Sequence, residues 1–207
     1  MSDASAPAEQ LLETMTHAAA ALRDAEVPYL LAGSFAVWAR GGPAHDTDLD
    51  FAVKGGDIDR AVQALEAAGM QEKATPEEWL CKVWDGRVQV DLIFKPAGLE
   101  IDDETMARGD DIEVGGMTFR VMAIEDVMTT KLFSFKEHYL DYESALEIAR
   151  TVREQIDWDE LRARCEGYAY AKPFFTLAEE LGVIEKPDGG VASAAEVRAA
   201  QESRHGV

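Results

Sequence analysis

Asp48-Leu49-Asp50 places two carboxylates two residues apart, which on a strand puts both on one face. Neighbouring carboxylates repel unless one takes a proton or both share a cation. Mg²⁺ suits them, because it accepts one or two side-chain carboxylates together with phosphate oxygens and water. Asp91 stands inside Val88-Gln89-Val90-Asp91-Leu92-Ile93, where a charge is costly unless paired or metal-bound. If that segment lies beside the first, three carboxylates meet, sufficient for two metal ions or for one ion and a general base. Upstream, the apolar run Val27-Pro28-Tyr29-Leu30-Leu31 leads into Gly33-Ser34. Glycine there permits close backbone approach, and a turn opening a helix at Ser34 offers N–H groups and a hydroxyl to a phosphate.

Elements able to position these residues follow from periodicity. Leu11, Leu12, Met15, Ala18, Ala19 and Leu22 recur at helical spacing and predict an amphipathic helix over 7–25. A buried strand over 27–31, a helix over 34–40, a strand over 48–53 and a helix over 58–68 come next. Residues 79–84 and 87–94 flank Asp85-Gly86, a hairpin signal, and 112–114 and 117–121 repeat the form around Gly115-Gly116, with Asp110 and Asp111 marking a wet edge. Beyond Ala123 the pattern is helical, near 124–135, 141–153, 157–166 and 171–181. The expectation is an α/β chain: a mixed sheet flanked by helices over 1–122, a C-terminal helical subdomain over 123–185, and a marginally helical or frayed tail over 186–207.

Composition sets further bounds. The chain has 207 residues, 47% hydrophobic and 29% charged, enough to bury a core. Its net charge of −20 disfavours a general nucleic-acid coat or an anionic membrane surface, while leaving room for one anionic ligand in one cleft. The start lacks the form of a secretory signal, and the longest apolar stretch, 29–39, falls well short of the ~20 residues that span a bilayer, so a cytoplasmic location without a membrane anchor is expected. Cys81 and Cys165 form no ligand spacing and are expected as packed or free thiols in a reducing compartment. Nor do the histidines, His45 and His138 among them, form a zinc spacing.

Taken in order, Leu31-Ala32-Gly33-Ser34, Asp48-Leu49-Asp50 and Asp91 resemble the fingerprint of the nucleotidyltransferase superfamily built on the DNA polymerase β palm. That resemblance implies roles. Asp48, Asp50 and Asp91 would be catalytic and metal-holding, with two Mg²⁺ ions, and Asp91 would also deprotonate the acceptor hydroxyl. Gly33 and Ser34 would bind the β and γ phosphates of an NTP. The reaction implied is in-line transfer of an NMP to a hydroxyl, with pyrophosphate leaving. A looser likeness is to the abortive-infection toxin-like branch, which places basic residues and an Asp on helices after the palm. Lys131 and Lys136 would then bind phosphate, with His138 and Asp141 in the same region. This chain has Ala44 where a basic residue often stands, and Arg40 and His45 are its nearest substitutes.

Plainer readings compete with these. Asp48 and Asp50 could be a solvated acidic strand end, and Lys131 and Lys136 could be snorkelling surface residues. Trp79, Trp84, Tyr139, Tyr142, Phe174 and Phe175 are expected in the core or at an interface rather than as a base-stacking platform. A calcium loop beginning at Asp46 is excluded, since Phe51 and Asp57 stand where Gly and Glu are required. The acceptor is a small molecule, a tRNA end or a protein hydroxyl, with the charge favouring a small or cationic one. A non-catalytic nucleotide- or partner-binding module of toxin–antitoxin type is the alternative.

Overall fold

The structure is a computed structural model that describes residues 8–43 and 48–185. The expectations for 186–207, Ala44 and His45 lie outside the described residues.

In chain order the described elements are α1 (Ala8–Asp24), β1 (Leu30–Leu31), α2 (Gly33–Ala39), β2 (Asp48–Ala52), α3 (Ile58–Ala67), β3 (Gln71–Lys73), β4 (Leu80–Asp85), β5 (Val88–Ile93), α4 (Asp103–Arg108), β6 (Asp110–Val114), β7 (Met117–Val121), α5 (Ile124–Phe133), α6 (Tyr142–Val152), α7 (Trp158–Arg164) and α8 (Ala171–Glu180). The strands form one seven-stranded sheet in the order β3-β4-β5-β2-β1-β7-β6. It is mixed, with β2 parallel to β5 and β1 parallel to β7, and antiparallel pairs elsewhere.

Alternation in β2 and β5 divides the sheet's faces. Leu49, Phe51, Val90 and Leu92 are fully buried, and α1 and α3 pack against these strands and each other. Met15, Ala18, Ala19 and Leu22, the apolar stripe of α1, are all within the same core. Residues of the opposite parity, Asp48 and Asp50 among them, face the other side.

Differences from expectation have local causes. Strand β1 covers two residues rather than five, because the Val27 N–H is used to close α1 onto the Leu22 carbonyl, 2.9 Å away, and Pro28 has no N–H to give. Strand β3 and helix α4 are additional. All three residues of β3 are exposed, so no alternation marks it, and α4 is held by its cap, Asp102, whose Oδ1 accepts from the Thr105 N–H at 2.8 Å. Trp79 and Tyr139 are exposed, whereas Phe174 and Phe175 are buried as expected. Cys81 and Cys165 are free thiols, and burial pushes Cys165 up to about 11.

Candidate functional site

The parallel pairing of β2 with β5 decides what meets what. Asp50 lies opposite Asp91, and Asp48 opposite Gln89, so the four side chains share one face in a two-by-two block. Strand β4 adds Lys82 opposite Asp91. On the other flank the Ala32 N–H donates to the Asp50 carbonyl at 2.8 Å, which carries the pairing one residue past β1. Across the sheet the row therefore reads Lys82, Asp91, Asp50 and the Gly33 turn.

Gly33 is required twice over. Its φ is +56°, in the left-handed region, and a Cβ there would lie 1.8 Å from Asp50 Oδ2. The turn and the carboxylate thus occupy adjoining space that tolerates no side chain. Next to it the Ser34 hydroxyl oxygen is buried and has no hydrogen-bond partner, a costly state that a ligand oxygen would relieve.

Asp91 is 5% exposed. Its Oδ1 accepts from the Gln89 amide at 2.8 Å, and Lys82 Nζ stands 4.0 Å from Oδ2. Burial raises the Asp91 carboxyl above its ordinary value; Lys82 and the Gln89 hydrogen bond oppose that rise, and the Asp48 and Glu77 charges add to it. Gln89 also reaches Asp48 Oδ2, at 3.4 Å. Neither Gln89 nor Lys82 stands out in the sequence as a functional residue. The signal available for Gln89 was its parity with Asp91, two positions on.

A cleft of about 1170 Å³ opens beside this block. Gly33, Ser34 and Asp50 line it from the sheet, Lys131, Lys136, Asp141, Glu143 and Glu147 from the helical side, and Trp79 and Tyr139 add exposed rings. Lys131 Nζ donates to Asp141 Oδ2 at 2.8 Å, and that bond is the main reason the Asp141 carboxyl sits below its ordinary value. Lys136 is exposed, in a tight turn closed by paired backbone bonds with Tyr139. His138 lies in the same turn. Arg40 is employed elsewhere: it donates to Asp110 Oδ2 at 2.5 Å and to the Met122 carbonyl at 2.9 Å, tying α2 to the far side of the sheet.

Among the described residues, no set of three or more His, Cys, Asp or Glu side chains is arranged to hold a metal ion by itself. The expected trio shares a face, but the Gln89 amide stands between Asp48 and Asp91 and Lys82 flanks Asp91. The donor set nonetheless fits Mg²⁺, which uses few protein carboxylates and completes its shell with substrate phosphate and water. Next to Asp50 lie the Gly33 turn, packed against its carboxylate, and the unpartnered Ser34 hydroxyl.

A family model described as "Nucleotidyl transferase of unknown function (DUF2204)" matches residues 61–172. The chain belongs to this nucleotidyltransferase family. The match takes in β5 with Asp91 and α5 with Lys131, and begins beyond Gly33, Asp48 and Asp50. Solved structures with a similar fold include a crystal structure of ANT(2″)-Ia in complex with adenylyl-2″-tobramycin, with TM-score 0.58 and 13% identity over 80% of this chain and 99% of that one. A solution structure of the antibiotic-resistance factor ANT(2″)-Ia is also similar, with TM-score 0.50 and 15% identity over 95% of this chain and 97% of that one. At such identities the likeness shows the fold, a nucleotidyltransferase-type mixed sheet flanked by helices. No curated protein matches the sequence. In this family member, no helix of the described residues is long and apolar enough to cross a membrane.

Proposed function

We propose that the protein transfers an NMP from an NTP to a hydroxyl acceptor, with release of pyrophosphate and with Mg²⁺ as cofactor. The observation that carries this reading is the β2–β5 register, which aligns Asp50 with Asp91 beside a turn whose close approach to Asp50 only glycine permits at position 33. Asp48 and Asp50 would hold the ion, with Asp91 contributing to a second. Bound Mg²⁺ supplies charge neutralisation to the triphosphate. The Gly33 backbone and the Ser34 hydroxyl receive the β and γ phosphates, and Lys131 and Lys136 offer positive charge from the opposite wall. The acceptor oxygen attacks the α-phosphorus, its proton passes to Asp91, and the bond to the pyrophosphate oxygen breaks in line. Burial suits Asp91 to that role, because a raised carboxyl holds a proton more readily than an exposed one.

Residues 1–122 act as the palm in this reading, and 123–185 as the helical part whose α5 and α6 wall the cleft. The acceptor is a small molecule, preferably cationic: Glu143 and Glu147 line the helical wall, and the net charge of −20 opposes RNA. Free thiols fit a cytoplasmic setting.

Incubation with labelled NTPs, Mg²⁺ and panels of amino-sugar, tRNA and protein acceptors tests the proposal. Label transfer that disappears in Asp48→Asn and Asp91→Asn supports it; no transfer and no Mg-NTP binding defeats it. The second reading, a nucleotide- or partner-binding module, is favoured by Lys131 being engaged with Asp141. Under that reading both variants keep the phenotype of the parent protein.

A further inference from the structure

Gln89 is not assigned a role by the nucleotidyl-transfer reading, yet it is the one neutral corner of the acidic block. Its amide nitrogen has two hydrogens and stands 2.8 Å from Asp91 Oδ1 and 3.4 Å from Asp48 Oδ2. The two carboxylates belong to different strands, and the register places Gln89 opposite one and two residues before the other. A single neutral donor therefore bridges two anions that lie diagonally across the paired parallel strands. This is the place from which a divalent ion would neutralise both.

We propose that Gln89 is a positioning residue of the cation site: its amide substitutes for the ion in the metal-free protein and is displaced when the ion binds. The inference rests on the metal-dependent reading above and deepens it. An amide donates only partial positive charge, so it keeps the carboxylates together without competing strongly for them. The chain thus keeps its acidic block ordered before substrate arrives, at the cost of two hydrogen bonds surrendered on metal binding. Lys82 stays outside the exchange, 4.0 Å from the other oxygen of Asp91.

The experiment uses the full chain and Mn²⁺ as the probe, without nucleotide, read by electron paramagnetic resonance titration and by the Mn²⁺-induced rise in Tm. Gln89→Met keeps the length and removes the donors. It lowers the metal-free Tm, enlarges the Mn²⁺-induced rise, and tightens Mn²⁺ binding about fivefold, the factor expected for loss of the 2.8 Å bond to Asp91, since the 3.4 Å bond to Asp48 is long and adds little. Gln89→Lys supplies a permanent cation; it raises the metal-free Tm and abolishes the Mn²⁺-induced rise, and it serves as the independent variant should Gln89→Met not fold. In an Asp48→Asn background, Gln89→Met no longer changes the Mn²⁺ response. A wild-type response left unchanged by both Gln89 variants, or weakened by Gln89→Met, overturns this inference alone. Absence of any Mn²⁺ response in the wild type, with and without NTP, overturns both it and the function proposed above.

Discussion

Gly33 concentrates the demands of the site in one residue. A methyl group there would meet Asp50 Oδ2 at 1.8 Å while the backbone holds a φ of +56°. Gly33→Ala therefore displaces the Asp50 carboxylate and adds backbone strain of about 1–3 kcal/mol. Denaturant melts should show that loss, and initial rates of nucleotidyl transfer should fall at least about a hundredfold, as when a reacting group is misplaced by about 1 Å. A variant with unimpaired rates would refute the cradle. Asp141 yields a test in pH. Its carboxyl is held below the ordinary value, first by the hydrogen bond from Lys131, so the folded chain binds that proton less readily than the unfolded chain. The stabilisation is complete above the unfolded pKa of about 3.9 and is lost as pH falls through the lower folded value. Urea melts between about pH 5 and pH 2.5 should therefore fall more steeply for the wild type than for Asp141→Asn, which keeps an α6 cap but carries no charge.

At the scale of elements, three helices are tied to one another by a few polar links whose loss is measurable. Asp126 of α5 is buried and receives Arg108 of α4 through Nε at 3.0 Å and Nη2 at 2.9 Å, and Arg164 of α7 at 2.6 Å. Asp126→Ala leaves Arg108 without its anion and Arg164 with Glu160 alone. Because both arginines keep contact with water, the expected loss is about 2–3 kcal/mol, below that of a fully buried pair, read as a lower midpoint in urea. Most of these elements could be read from the sequence because their periods are strong, as in α1, or because turn residues delimit them, as in the β4–β5 hairpin. Strand β3 was invisible, since Gln71, Glu72 and Lys73 are all exposed and gain their structure from backbone pairing with β4. For the candidate site, the strand alternation of Asp48, Asp50 and Asp91 and the glycine turn are local signals. The alignment of Gln89 with Asp48, and of Lys82 with Asp91, depends on pairing between distant segments, which no local pattern encodes. Trp79 and Tyr139 look like core residues in composition; only the packing reveals them at the cleft.

At the scale of the molecule, the described residues share one apolar interior that runs from Met15 of α1 through the sheet to Phe174 of α8 and Ile184 beyond it. Ile124, Val127, Met128 and Leu132 of α5 belong to it. A fragment ending at residue 122 would expose these partners' contact surface, so it should be recovered only as aggregate or as a chain without a cooperative thermal transition, by circular dichroism and calorimetry. A fragment that melts cooperatively would show that the sheet stands without its helical half.

Leu30 and Leu31 join the two wings of the sheet, with β2 on one side and β7 on the other, and the Leu31–Val121 pair and the Met122-to-Leu31 bond make the second attachment. A seam this narrow is where the wings would part first under thermal agitation or mechanical pull. Since the Gly33 turn is mounted directly on that rivet, any event that loosened it would draw the turn away from the Asp50 carboxylate while most of the backbone ladder stayed closed.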